Sequence, residues 1–320
     1  MSRPPEEAQR EVRDFFCLRS SLSATVLAAT AALVTLTPLH AQPADSSPLL
    51  PDIRHFRELI ADPSEPDMGI GLLVTDVLAS FGAERPPFTL PDHDDARTDW
   101  QAAASIGGTI TLLRIARFAD GGITVGGQAG VRARFRIELP SRDDLGQDWV
   151  VAMPIEIRSN RTSARVRIIH RSSHLGDEFV QATGAQRVEY GGEALDALIA
   201  YDLPFARVYG GGAWNFRSYT RRLPALVSND IDDRFDLQLG LDGEWRPFTD
   251  SRLHIIAGGD WRTAERIRWK GALALTGGLL MRSPDRAFGI ALHFFEGRSS
   301  LGQFFNTPET YWSLELIAAL

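Results

Sequence analysis

Residues 234–246, RFDLQLGLDGEWR, put Phe235, Leu237, Leu239, Leu241 and Trp245 on one parity. Arg234, Asp236, Gln238, Asp242, Glu244 and Arg246 fall on the other. Successive side chains of an extended chain point to opposite faces, so this stretch is a strand with one oily and one charged side. Residues 123–138 repeat the pattern, with Ile123, Val125, Ala129, Val131, Ala133, Phe135 and Ile137 on the oily side. Thr124, Gln128, Arg132, Arg134, Arg136 and Glu138 form the other side. The same alternation returns in 149–158, 253–261, 269–281, 288–296 and 312–320, and from Met68 onward it divides the chain into about twelve strands.

A soluble sandwich also alternates, but its polar sides face water and seldom carry Arg, Asp and Glu through strand centres. Strands of about ten residues, apolar outward and charged inward, belong to a transmembrane barrel. Trp149, Trp245, Trp261, Trp269 and Trp312 lie near segment ends on the oily side, where an aromatic girdle sits at a membrane interface. The expected fold is therefore all-β, a closed antiparallel transmembrane β-barrel of about twelve strands over residues 67–320. Arg132, Arg134, Arg234, Arg246 and Arg252 are expected to point inward, and Trp245 and Trp261 outward. Short turns near 159–161, 203–204, 247–251 and 282–286 alternate with longer connections near 81–99, 139–147, 174–185, 219–233 and 298–309. The short turns are expected at the periplasmic end and the long loops outside.

The segment before the strands reads as an export signal. Residues 22–39, LSATVLAATAALVTLTPL, carry no charge, follow Arg13 and Arg19, and end near Ala41. That order of basic, apolar and small residues describes a signal peptide, taken as residues 1–41. Cys17, the single cysteine, follows Phe15 and Phe16 and so is no lipid-attachment site. Its loss with the leader excludes disulfides and cysteine-based metal sites from the remainder. Residues 42–66, rich in Pro, Ser and Asp, are expected as a periplasmic extension or short helix docking under the barrel, without recognisable chemistry.

Composition removes several function classes. The formal net charge of −7 and the absence of basic runs argue against a nucleic-acid partner. No GxxxxGK[ST], GxSxG or HExxH motif is present, so no nucleotide cofactor is expected. The acidic clusters at 92–95 and 230–233 read as solvated loop charge, and no metal ligand set is assigned. Calcium stays open as a cofactor.

One stretch carries candidate chemistry: residues 168–178, IIHRSSHLGDE. Ala164, Val166 and Ile168 form its oily face, which His170 and Ser172 continue, while Arg165, Arg167 and Arg171 point inward. A His and a Ser two positions apart on one strand face can act as base and nucleophile if a third polar group orients the His. Symmetric pairing about the 174–185 loop puts Glu189 opposite His170. A bulge at Gly191-Gly192 would reverse that, which keeps Glu193, Asp177 and Glu178 as alternatives. Ser173 faces the lumen in this register and His174 stays outward. The plainer reading makes His170, Ser172 and His174 interfacial polar residues ending a strand.

The motif HxSSHLGDE, with GGEALDALIAYDL (191–203) and GRSSLGQFF (297–305), resembles an uncharacterised family of Gram-negative outer-membrane barrel proteins. A weaker likeness is to outer-membrane phospholipase A and lipid A deacylase, whose barrels carry outward His-x-Ser pairs. His170 and Ser172 match that pair, and Ser173 stands where those enzymes carry Asn. The resemblance implies an outer-membrane location, membrane lipids and the barrel assembly machinery as partners, and an acyl-ester hydrolase with Ser172 as nucleophile and His170 as base. The other readings are a structural or loop-binding barrel and a narrow anion-favouring pore.

Overall fold

The computed structural model describes residues 48–75, 99–137, 144–183, 187, 190–218, 233–248, 252–283 and 286–319. The expected leader lies outside the described residues, as do residues 92–95 and 230–232. The strands are β1 (Met68–Thr75), β2 (Asp99–Phe118), β3 (Gly121–Arg136), β4 (Asp144–Ser159), β5 (Thr162–Leu175) and β6 (Tyr190–Asp202). They continue as β7 (Arg207–Ser218), β8 (Phe235–Trp245), β9 (Leu253–Ala264), β10 (Ala272–Arg282), β11 (Ala287–Arg298) and β12 (Pro308–Ala319). One helix, α1 (Asp177–Thr183), follows β5.

Each strand pairs antiparallel with its sequence neighbours, and β1 pairs with β12 from Met68↔Ala318 to Thr75↔Tyr311, closing the barrel. Followed from partner to partner around the wall, Phe118 at one end of β2 leads back to Trp100 near its other end. Such a stagger requires strands strongly tilted to the barrel axis. Closure leaves no strand edge, so every rung of the ladder can satisfy its backbone within the wall.

Alternation sorts the side chains as expected. Leu72, Ile106, Val151, Ile168, Leu239 and Leu316 are exposed on the outer face, while Thr124, Gln128, Arg165, Gln238, Asp242 and Asp260 are buried inside. A continuous apolar exterior of this kind is stable in lipid and not in water. Trp149, Trp214, Trp261 and Trp312 ring the end that carries the long loops. Trp245, Phe205 and Phe248 mark the other, with Trp245 Nε1 donating to the Phe205 carbonyl at 2.7 Å. Arg132 and Arg134 point inward as expected. Arg234, Arg246 and Arg252 do not: they are exposed just beyond the strand ends, where the pleat no longer dictates direction.

The segment expected to dock under the barrel enters it instead. Residues 48–66 form no helix; the exposed start bridges to the end of β2 at Leu49↔Leu113, and from Arg54 onward the chain threads the lumen and its polar groups meet the inward wall. Arg54 donates to Glu156 at 2.8 Å, and the backbone N–H groups of His55 and Phe56 donate to the same carboxylate at 2.9 and 3.0 Å. Phe56 is fully buried, with the guanidinium of Arg165 at 4.7 Å and that of Arg207 at 5.3 Å from its ring centre. Arg207 also donates to the carbonyls of Arg57 and Glu58 at 2.7 and 2.8 Å. Asp62 pairs with Arg262, and Glu65 with Arg165. Arg167 lies 3.5 Å from the same carboxylate, so two guanidiniums hold Glu65 ionised. A guanidinium as buried as Arg165 requires such a counter-charge, so the wall and the threaded segment depend on each other.

Two outcomes follow from this arrangement. Leu239→Arg should cost about 2–4 kcal/mol of barrel stability if Leu239 sits near the bilayer midplane. Leu239→Ile should leave folding yield unchanged, as read from heat-modifiable migration in lipid. Glu65→Gln strips Arg165 of its counter-charge and should weaken docking of the threaded segment by about 3–5 kcal/mol. Limited proteolysis should then cut within 48–66 while the strands stay protected.

Candidate functional site

The candidate site stands on the lipid side of β5 at its long-loop end. On β5 the odd positions from Ser163 to Ile169 are buried, whereas His170 is exposed and Ser172 partly exposed on the opposite face. The ladder pairs Trp149 of β4 with Ser172, and Ser172 with Gly191 of β6. One rung nearer the membrane interior, Val151, His170 and Glu193 are aligned.

That register settles which carboxylate lies beside the imidazole. Glu193, not Glu189, is opposite His170, and its Oε1 lies 3.2 Å from His170 Nδ1. Glu189 itself lies outside the described residues. The symmetric pairing assumed from the sequence misplaces the partner because the ladder begins at Ser173↔Tyr190, after a loop longer on its β6 side. With Nδ1 engaged by a carboxylate, Nε2 remains for a hydroxyl, the division of labour that a Ser–His–acid group requires. Among the described residues no hydrogen bond joins Ser172 to His170. Catalytic contacts of this kind often tighten only when substrate binds.

The remaining candidates take other positions. Ser173 is buried in the lumen, where its Oγ accepts from the Gln303 backbone N–H at 3.0 Å. Its carbonyl accepts from the Gln303 side chain at 2.7 Å. Asp148 beside it accepts from the Gly302 N–H at 3.0 Å. The loop 299–307 is thereby tied across the barrel mouth, with Leu301, Phe304 and Phe305 buried. Phe304 meets Phe179 of α1 edge-on at 5.8 Å. The two most distinctive sequence motifs, around Ser173 and Gln303, thus meet in space. His174 is exposed and paired in the ladder with Gln147. Asp177 and Glu178 are exposed on α1, and Asp177 pairs with Arg187.

Sequence reasoning missed Arg217. Strict alternation from Trp214 would turn Arg217 inward. A register shift between Glu193 and Ala194 leaves Phe216 as an extra residue on β7 and sets Arg217 opposite Glu193. Arg217 is exposed, its Nε 3.6 Å from Glu193 Oε2. No local pattern encodes a bulge of this kind. Among the described residues, no group of three or more His, Asp or Glu side chains is placed to hold a metal ion.

The model of a family described as "Protein of unknown function (DUF1207)" matches residues 90–317. No curated protein matches the sequence. Among solved structures, the Salmonella typhi outer membrane phospholipase dimer with bound calcium is 7% identical, with a TM-score of 0.49 over 79% of this chain and 91% of that one. The KdgM porin is 8% identical, with a TM-score of 0.39 over 79% of this chain and 99% of that one. LpxR from Salmonella typhimurium is 9% identical, with a TM-score of 0.37 over 78% and 99%. At these scores the neighbours carry no argument about what this chain does.

Gly191 is a constrained position of the rim. Its φ is +151°, and a Cβ there would lie 2.5 Å from the Arg171 carbonyl oxygen. Gly191→Ala should cost about 1–3 kcal/mol locally. Hydrogen exchange should rise in the upper rungs of β5 and β6 and stay low near Thr162↔Tyr201.

Proposed function

The chain belongs to the DUF1207 family, and from the lipid-facing group on β5 and β6 we propose that it is an outer-membrane barrel hydrolysing acyl esters of envelope lipids. The observation that carries this reading is the His170–Glu193 contact on the same outward face as Ser172. In the reaction, Ser172 Oγ attacks the ester carbonyl while His170 Nε2 accepts its proton. The alcohol leaves with that proton, giving an acyl-serine. Water, deprotonated by His170, then releases the fatty acid and regenerates Ser172. Glu193 orients the ring through Nδ1 and stabilises the imidazolium that forms.

The setting favours a substrate that arrives sideways. Trp149 beside Ser172 marks headgroup depth, where the acyl ester of a membrane lipid lies. Gly191 on the other side adds no side chain next to the hydroxyl. The pore reading is disfavoured by the lumen, which residues 54–66 occupy and the 299–307 loop covers. In this reading residues 1–41 direct export, the short turns face the periplasm, and the barrel assembly machinery inserts the chain in the outer membrane. Calcium remains the cofactor to test, since a cation could polarise the ester carbonyl.

The test is hydrolysis of phospholipid and lipopolysaccharide by refolded protein, with calcium and with chelator. Ser172→Ala should abolish release of fatty acid and leave barrel migration unchanged. Glu193→Gln should lower kcat by about 10²–10⁴-fold, in keeping with loss of the group that orients a catalytic base. Absence of activity in well-folded protein on both lipid classes would favour the structural barrel.

A further inference from the structure

The inward wall is divided between two kinds of side chain. From β3 to β9 it is rich in Arg, Asp, Glu and Gln, and the threaded segment docks there. From β10 through β12 to β1 and β2 it is built largely from Gly, Ala, Ser, Thr and Leu, with β2 also bonding the start of the threaded segment, where Arg54 donates to the Thr109 carbonyl at 3.3 Å. This neutral half faces the threaded segment across a cavity of about 1330 Å³. The cavity runs from Arg282 and Ala287, at the short-turn end, up to Leu73 and Tyr311. At that end Phe295 stacks on Tyr311 at 5.2 Å, Arg134 lies over the Tyr311 ring at 4.7 Å, and Arg134 pairs with the fully buried Glu309.

Halfway along this wall is a cluster that carries an acid and an imidazole. Thr276, His293 and Ser313 occupy a single rung across β10, β11 and β12. Thr276 Oγ1 lies 2.9 Å from His293 Nδ1, and Ser313 Oγ donates to Glu315 Oε1 at 2.8 Å. His293 Nε2 and Glu315 Oε2 are 3.6 Å apart, and Nε2 is buried without a hydrogen-bond partner. Elsewhere along the cavity carboxylates meet guanidiniums, as Glu65 meets Arg165 and Glu244 meets Arg282. Among the described residues no guanidinium pairs with Glu315. Glu58, also lining the cavity, shares Arg54 with Glu156.

We propose that this cavity binds a small organic ammonium with an apolar body, its nitrogen held by the Glu315 carboxylate. Glu315 lines the cavity, and the His293 imidazole beside it is enclosed, so the carboxylate is the group a ligand meets. A primary ammonium donates N–H to that carboxylate and neutralises it. The apolar part then rests against Leu280, Ala274 and Ile256, where burial favours carbon over water. The site is independent of the lipid-facing group, from which the barrel wall separates it.

The test uses the full chain refolded in a maltoside detergent, titrated with cyclohexylammonium, cyclohexanol and cyclohexanecarboxylate and read by saturation-transfer NMR. The ammonium should bind, and the alcohol and carboxylate should not. Glu315→Gln should weaken the ammonium at least about tenfold. Leu280→Trp, which fills the wall without touching the charge, should abolish binding, and Ser172→Ala should leave it intact. Failure of the ammonium to bind folded wild type would overturn the proposal. So would equal binding of the three probes, or an affinity indifferent to both Glu315→Gln and Leu280→Trp.

Discussion

A strand in hydrocarbon has no water to accept from its N–H groups or donate to its carbonyls, so the wall must satisfy its own backbone. The β1–β12 pairing meets that requirement by joining the first strand to the last. Closure then fixes much else. The strands must tilt and stagger, one face of each must be apolar, and all polar side chains are driven either inward or to the rims. The buried charges of the lumen are thus a consequence of closing a barrel in lipid.

Inward charges create a second requirement, since an isolated guanidinium inside a low-dielectric wall is unstable. This barrel meets it partly with its own residues, as in Arg167 with Asp196, and partly with chain from outside the strands. Glu65, Asp62 and the carbonyls of Arg57 and Glu58 are supplied by the threaded segment. Phe56 adds an aromatic ring between two guanidiniums, a favourable contact for weakly hydrated cations. The lumen is consequently a packed interior on one side and a neutral-walled cavity on the other. The lipid-facing group gains a stiff support, because β5 carries Arg165 and Arg167 on the reverse side of the strand that presents His170 and Ser172.

The two ends of the barrel are built differently. At the short-turn end, hairpins close within a few residues and aromatic side chains such as Phe205 and Phe248 stand exposed. At the other, the 299–307 loop folds inward over Ser173 and Asp148, and α1 packs Phe179 against Phe304. The candidate catalytic residues lie just below this cap on the outer surface. Chemistry outside and closure inside therefore share β5, with alternate residues serving each.

The sequence by itself determined the faces. Period-two alternation is a property of neighbouring residues, so it was enough to read the strands, their count, the closed barrel and the outward direction of both His170 and Ser172. Tertiary structure alone decided which groups meet. Glu193 rather than Glu189 stands beside His170 because ladder register depends on the length and course of a loop, which alternation does not encode. Arg217 reaches the same rim through a bulge, and a single extra residue reverses every parity beyond it. The threaded segment was illegible for a related reason: residues 48–66 have no period of their own, and their Arg54, Asp62 and Glu65 gain structural meaning only from buried charges a hundred or more positions away.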